Sequence, residues 1–231
     1  MLMAKSALVQ TDGAPWAPVG ASVAHQKCLA GTLGCYVRCT TSQRIGLLSN
    51  WHVLSHELAQ PGDRINWHRP TQQPTFTQYK QHIPIAQLGD GFIDADGDAA
   101  VAWLTPEPTQ LPVKLGSFTG TRRAQEGDIL AKVGASSGLT RARVTACGPF
   151  PLVFSQRVIT INAIQLEPLD EQPLHQTICA AGDSGSVWFD EKTNQAVALH
   201  FAGQPNPFVG PVNAQAADIG TVLMRLNLSI L

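Results

Sequence analysis

Nothing in the chain runs apolar for about 18 consecutive residues, the length a helix needs to cross a bilayer, so a spanning helix is excluded. Charge is scarce and balanced: 14% of residues are charged and the formal net charge is −1. That gives no global attraction to nucleic acid or to an anionic membrane surface, so any partner is chosen by a local site. The five cysteines (Cys28, Cys35, Cys39, Cys147, Cys179) form an odd set without the CxxC pairs of a structural metal centre. We read them as reduced thiols and expect a cytoplasmic protein; a thiol switch between Cys35 and Cys39 is the alternative, with nothing specific behind it. The first thirteen residues lack the apolar core of a secretory signal. Neither a repeat nor a low-complexity tract is present.

What the chain has is apolar content, 44% of its 231 residues, enough for a packed core and too much for disorder. That length suits one large β domain or two small halves. Residues 1–25 are rich in Pro, Ala and Gly and aperiodic, and read as a surface arm. Gly31–Thr40 alternates as a strand, Arg44–Asn50 reads as its hairpin mate, and Trp51–Leu54 as one helical turn. Residues 60–82 read as a long loop or short edge strands. Strand character returns at Ile83–Leu88 and Ala99–Leu104. Residues 105–125 read as a connection. Ile129–Gly134, Leu139–Thr145, Val158–Ile164, Ser186–Phe189 and Ala196–Phe201 follow as strands. Ala216–Leu226 reads as the one longer helix, with Ile219, Val222, Leu223 and Leu226 on its apolar face. Many short strands separated by turn residues point to an all-β barrel or sandwich.

The chain is organised around Gly182-Asp183-Ser184-Gly185-Ser186. Glycines on both sides of a hydroxyl let backbone N–H groups converge beside it, because glycine tolerates positive φ and close approach. We read Ser184 as a nucleophile, with the N–H groups of Gly182 and Ser184 as an oxyanion hole. A plain polar turn before a strand is the alternative. A serine hydroxyl needs a base to take its proton, and histidine suits that task, with a carboxylate to hold its tautomer. His52, just past a strand end, stands out among seven histidines; His25, His56, His68, His82 and His175 read as surface residues. Asp98, at the mouth of the apolar strand Ala99–Leu104, is the favoured carboxylate, ahead of Asp94 and Asp96. Asp90, Asp94, Asp96 and Asp98 among glycines suggest a calcium loop, but the terminal bidentate glutamate of the EF-hand is missing. No metal and no cofactor are expected.

Ser49-Asn50-Trp51-His52-Val53, Asp98-Ala99-Ala100-Val101-Ala102 and Gly182–Ser186 resemble the histidine, aspartate and serine motifs of chymotrypsin-fold, trypsin-like serine peptidases. The order His, Asp, Ser is also theirs. Ala30–Cys35 with Leu48–Leu54, and Val133–Thr140, are similar to the narrow-leaf-type peptidases of plants and their bacterial relatives. The resemblance covers the chain from about Gly31 onward. It implies two six-stranded antiparallel β-barrels with a C-terminal helix and the site in the cleft between them. Residues 26–115 would form the first barrel, carrying His52 and Asp98. Residues 116–231 would form the second, carrying Ser184, its oxyanion hole and the specificity pocket. Two departures stand out: Val53 replaces the cysteine that often follows the family's histidine, and no Ile-Val-Gly-Gly-type mature N-terminus occurs. Activation by a buried amino terminus is therefore not expected.

The primary pocket would be lined by Ala198–Gly203 and by residues just before Ser184. Ile178 stands where tryptic enzymes carry an aspartate, so a basic substrate side chain would lack its counter-ion. Leu199–Gly203 resembles the pocket strand of glutamyl endopeptidases and viral main proteases. His200, helped by Thr177 or Cys179, would then donate to a Glu or Gln side chain, with Phe201 and Gly203 beside it. A core histidine satisfied by backbone is the alternative, and a small apolar residue is the competing substrate. The expected function is a serine endopeptidase, regulated, cleaving specific protein or peptide substrates and answering to a regulatory protein partner. A protease-like module that holds extended peptide by strand addition, or a latent enzyme gated by the arm or by residues 60–82, is the alternative.

Overall fold

The computed structural model describes residues 16–70, 80–108, 116–154, 157–170, 177–206 and 210–231. The first fifteen residues of the expected arm, residues 71–79, residues 109–115 of the expected connection, and His175 lie outside the described residues.

Short extended segments come first: β1 (Ser22–His25), β2 (Gly31–Thr32), β3 (Cys35–Cys39) and β4 (Ile45–Ser49). A single helical turn, α1 (Trp51–Leu54), precedes β5 (Arg64–Pro70), β6 (Lys80–Asp94) and β7 (Gly97–Leu104). The second half holds β8 (Ile129–Gly134), β9 (Gly138–Phe154), β10 (Arg157–Glu167), β11 (Val187–Asp190), β12 (Gln195–Asn206) and β13 (Gly210–Asp218). Then come α2 (Ile219–Arg225) and β14 (Leu228–Ile230).

The strands curl into two antiparallel sheets. One runs β14-β3-β4-β7-β6-β5-β1-β2, and the other closes into a six-stranded barrel, β10-β13-β12-β11-β8-β9. This is the two-barrel chymotrypsin-like fold with a C-terminal helix. Closure removes the edges that an open sheet would offer to other chains. Each barrel has its own core: Leu33, Leu47, Leu54, Ile65 and Ile85 in the first, and Leu130, Val144, Leu166, Trp188 and Val197 in the second. A third cluster draws Cys35, Val37, Leu48 and Val101 together with Ile161, Val187, Leu199, Phe201, Ile219 and Val222. Side chains of both sheets thus meet in one apolar seam, which fixes the barrels against each other.

Several elements differ from the sequence reading. Ser22–His25 falls within the aperiodic arm, yet it pairs with β2 and β5, and Trp16 and Ala17 are buried in the first core. The tail contributes to the first sheet, because β14 pairs with β3. The helix expected from Ala216 starts later: Ala214–Ala217 hydrogen-bonds on both sides, to β10 and to β12. Asp218 then stops the strand and caps the helix, its carboxylate accepting from Thr221 N at 2.8 Å. His25 is buried, not on the surface, and its Nε2 meets Asp63 at 3.2 Å. No helix among the described residues is long and apolar enough to cross a membrane.

Candidate active site

Asp98 lies one residue into β7, which leaves a tight turn with Asp94 opposite Gly97. On its other side β7 pairs with β4 up to Ser49 opposite Ala100, so the Asp98 side chain meets the chain where β4 ends and α1 begins. There it caps the helical turn: Oδ1 accepts from Trp51 N at 2.7 Å and His52 N at 3.3 Å. An anion at a helix start uses N–H groups that have no partner within the helix. The second oxygen, Oδ2, takes the ring Nδ1 of His52 in a short hydrogen bond. Asn50 Nδ2 donates to Asp98 O at 2.6 Å. One buried carboxylate thereby sets both the helical turn and the imidazole it carries. Burial pulls the His52 pKa down, but the charge and hydrogen bond of Asp98 outweigh it and leave the pKa above its ordinary value.

Ser184 sits in a turn pressed against the first barrel. Gly182 and Gly185 have φ of +100° and +92°, where a side chain is strained. A Cβ on Gly185 would lie 2.0 Å from Ser49 Oγ and 2.4 Å from Thr32 O, so only glycine fits there. The N–H groups of Asp183, Gly185 and Ser186 donate to Ala180 O, His200 O and Asp183 O respectively. Those of Gly182 and Ser184 have no acceptor among the described residues, which is the pair the sequence reading singled out.

Val53, the residue after His52, and the carbonyl of Ser184 both lie against Gly31. A Cβ there would lie 2.3 Å from Val53 Cγ2 and 2.7 Å from Ser184 O. Among the described residues Ser184 Oγ has no hydrogen-bond partner, so no bond joins it to His52; in enzymes such bonds often tighten only with substrate bound.

Asp183 is wholly buried and paired with Lys132, also wholly buried, at 2.7 Å. Its carboxylate further accepts from Ser136 N at 3.1 Å, Ser137 N at 3.0 Å, Ser137 Oγ at 2.5 Å and Ala180 N at 2.9 Å. Burial would raise the Asp183 pKa, yet the Lys132 charge and these donors hold it below its ordinary value. Burial lowers the Lys132 pKa in spite of Asp183. A cation from within the chain thus braces the turn before Ser184. Sequence reasoning missed Lys132; a lone charge inside the apolar run Ile129–Gly134 was the available signal. It missed Thr32 as well, for which a Gly-Thr dipeptide offers no signal.

The expected pocket residues are placed unevenly. Ile178 and Phe201 are core residues, packed in the second barrel and in the seam. Gly203 is exposed on β12 opposite Ala214. Thr177 Oγ1 donates to Cys179 O at 2.5 Å, and burial pushes the Cys179 thiol up to about 11. His200 is buried, edge-on to Trp188, with Nδ1 unpartnered among the described residues. Burial, aided by Lys132, pushes its pKa down to about 3. Asp94 and Asp96 clasp Arg225 on α2, and no metal-binding cluster of three ligands occurs among the described residues.

No protein-family profile matches the chain, and no curated protein does. Solved structures do. Thermobifida fusca Protease A is 15% identical, with a TM-score of 0.62 over 93% of this chain and 97% of its own. Nocardiopsis Protease is 15% identical, with a TM-score of 0.63 over 92% and 97%. A glutamic acid specific serine protease, described as using a histidine triad in substrate binding, is 13% identical, with a TM-score of 0.63 over 92% and 99%. The shared property is the fold, and these structures with that fold are serine proteases.

Proposed function

We propose that the chain is a serine endopeptidase in which Ser184 attacks the scissile carbonyl. His52 takes the proton of Ser184 and passes it to the leaving amine, and Asp98 orients the imidazole. The N–H groups of Gly182 and Ser184 hold the developing oxyanion, and water then releases the acyl-enzyme. The observation that carries the reading is a His52–Asp98 dyad together with a turn in which the N–H groups of Gly182 and Ser184 have no acceptor among the described residues. The braced Asp183–Lys132 pair supports a site formed without a free amino terminus. A pure peptide-binding module has no use for a buried carboxylate aligned on an imidazole.

The base form of His52 is required, and its folded pKa is raised. Activity is therefore present at alkaline pH and lost as pH falls through a midpoint above the ordinary histidine value. Asp98→Asn is expected to lower kcat by about 10⁴-fold and to move that midpoint down. A pH–rate profile of kcat/KM for the two proteins measures both.

The residue before the scissile bond is read as Gln or Glu. The buried, neutral His200 offers a hydrogen bond but no counter-charge, which favours the amide over the carboxylate. Cleavage-site profiling on a denatured proteome tests this: enrichment of Gln, then Glu, supports it, and enrichment of small apolar residues or of Lys and Arg contradicts it. The finer likeness to narrow-leaf-type peptidases rests on the sequence motifs. Five unbridged thiols support the reading of a reducing, cytoplasmic setting. We read the substrate as a specific protein or peptide, with activity held under a regulatory partner.

A further inference from the structure

An oxyanion hole needs N–H groups that point the right way before substrate arrives, and that direction is set by peptide planes. In a trans peptide the carbonyl and the N–H of one plane point in opposite directions, so fixing the carbonyl aims the donor. The N–H of Gly182 shares its plane with the Ala181 carbonyl, which accepts from Ser136 Oγ at 2.7 Å. The next plane is held at both ends: Gly182 O accepts from Thr32 Oγ1 at 2.8 Å, and Asp183 N donates to Ala180 O at 3.0 Å. The N–H of Ser184 shares its plane with Asp183 O, which accepts from Ser186 N at 3.0 Å. Finally Ser184 O accepts from Thr32 N at 2.7 Å.

Two side-chain hydroxyls therefore hold consecutive peptides, and they come from opposite barrels. Both are themselves fixed. Thr32 is wholly buried; its Oγ1 accepts from Ala135 N at 3.0 Å, and its carbonyl accepts from Ser49 Oγ at 2.7 Å. Ser136 is anchored through its N–H to Asp183 Oδ1, and a Cβ on Gly182 would lie 2.4 Å from Ser136 Oγ. The turn at 182 thus lies directly on the Ser136 hydroxyl.

We propose that Ser136 and Thr32 are positioning residues for the oxyanion hole, latching the Ala181–Gly182 and Gly182–Asp183 peptides so that the Gly182 N–H faces the reacting carbonyl. Neither hydroxyl touches substrate; each acts through the backbone it holds. The inference rests on the peptidase reading above. It implies that closing the two barrels on each other, which brings Thr32 to the turn, also finishes the hole.

The test is Ser136→Ala in the full chain, because this hydroxyl is exposed and its loss leaves no buried group unpaired. Steady-state kinetics on a peptide substrate are measured with the affinity for a peptidyl boronic acid, whose tetrahedral adduct places an oxygen in the hole. Expected is a fall in kcat of about 10- to 100-fold, between the worth of one hydrogen bond and the loss of a whole oxyanion donor. KM and melting temperature should hold, boronic-acid affinity should fall in step with kcat/KM, and Ser136→Thr should restore kcat and boronic-acid affinity. Thr32→Ser keeps the hydroxyl and should retain kcat, whereas Thr32→Val should lose it. Wild-type kcat and boronic-acid affinity in Ser136→Ala overturn the proposal, as does a loss confined to KM and stability. A wild-type chain that hydrolyses no peptide overturns the underlying reading instead.

Discussion

Replacing Ser184 by alanine is expected to reduce peptide hydrolysis by about 10⁴-fold or more while leaving the fold intact. The loss corresponds to at least about 5 kcal/mol of transition-state stabilisation. Its size follows from the division of labour: without the hydroxyl, His52 has no proton to take and the oxyanion N–H groups have no adduct to hold. Stability should barely move. Ser184 is only partly buried, its hydroxyl has no partner among the described residues, and its backbone bond to Thr32 survives the substitution. Circular dichroism and a melting curve beside the assay separate loss of chemistry from loss of fold. A variant that retains wild-type hydrolysis would point to a contaminant or to a different nucleophile. A variant that binds extended peptide as well as the wild type, when neither cleaves it, would favour the binding module.

Lys132→Met carries the second large effect, and it falls on stability as well as rate. Both members of the Lys132–Asp183 pair are wholly buried, so methionine leaves an uncompensated carboxylate in the second barrel. Removing one partner of a buried ion pair costs about 3–5 kcal/mol, a large part of the roughly 5–15 kcal/mol that holds a domain together. At this chain length that corresponds to a fall in melting temperature of roughly 6–20 °C. Activity should fall with it, because the Asp183 carboxylate also holds the N–H groups of Ser136, Ser137 and Ala180 around the turn.

The pH dependence should reverse. In the wild type the folded pKa of Asp183 is depressed, so its contribution is present above the unfolded carboxylate pKa and is lost as pH falls through the folded one. In Lys132→Met the burial effect is no longer opposed by the cation, and the folded pKa rises. The stability deficit of the variant then narrows as the solution is acidified. Pairing Lys132→Met with Asp183→Asn removes the lone charge and should recover part of the deficit at neutral pH. Equal melting temperatures for the wild type and Lys132→Met would contradict the ascribed role.

Why do His52, Asp98 and Ser184 stand out in the sequence as candidates, when Thr32, Lys132 and Ser136 do not? Each of the first three sits in a context that is itself local. His52 follows a strand end, Asp98 opens an apolar strand, and Ser184 lies between glycines that the backbone at 182 and 185 requires. The supporting residues take their meaning from contacts far along the chain. Thr32 reaches Gly182 across 150 positions, and Lys132 reaches Asp183 across 51. The same distinction separates the strands. Ala99–Leu104 and Ala196–Phe201 announce themselves by continuous apolar character. Ser22–His25 and Leu228–Ile230 become strands only because β5 and β3 pair with them. The start of α2 was misplaced for a related reason: Ala214–Ala217 has helix-forming residues, but pairing with β10 and β12 overrides propensity. His25 read as polar surface because nothing near it in sequence foretells Asp63.

The central claim is that an activated nucleophile sits at position 184, and a fluorophosphonate probe with peptide mapping by mass spectrometry tests it most directly. The proposed chemistry requires stoichiometric phosphonylation of Ser184 in the wild type at neutral to alkaline pH. Labelling should be slowed by several orders of magnitude in His52→Ala and should be absent in Ser184→Ala. A folded wild-type chain that stays unmodified, or one modified at another serine, would contradict it.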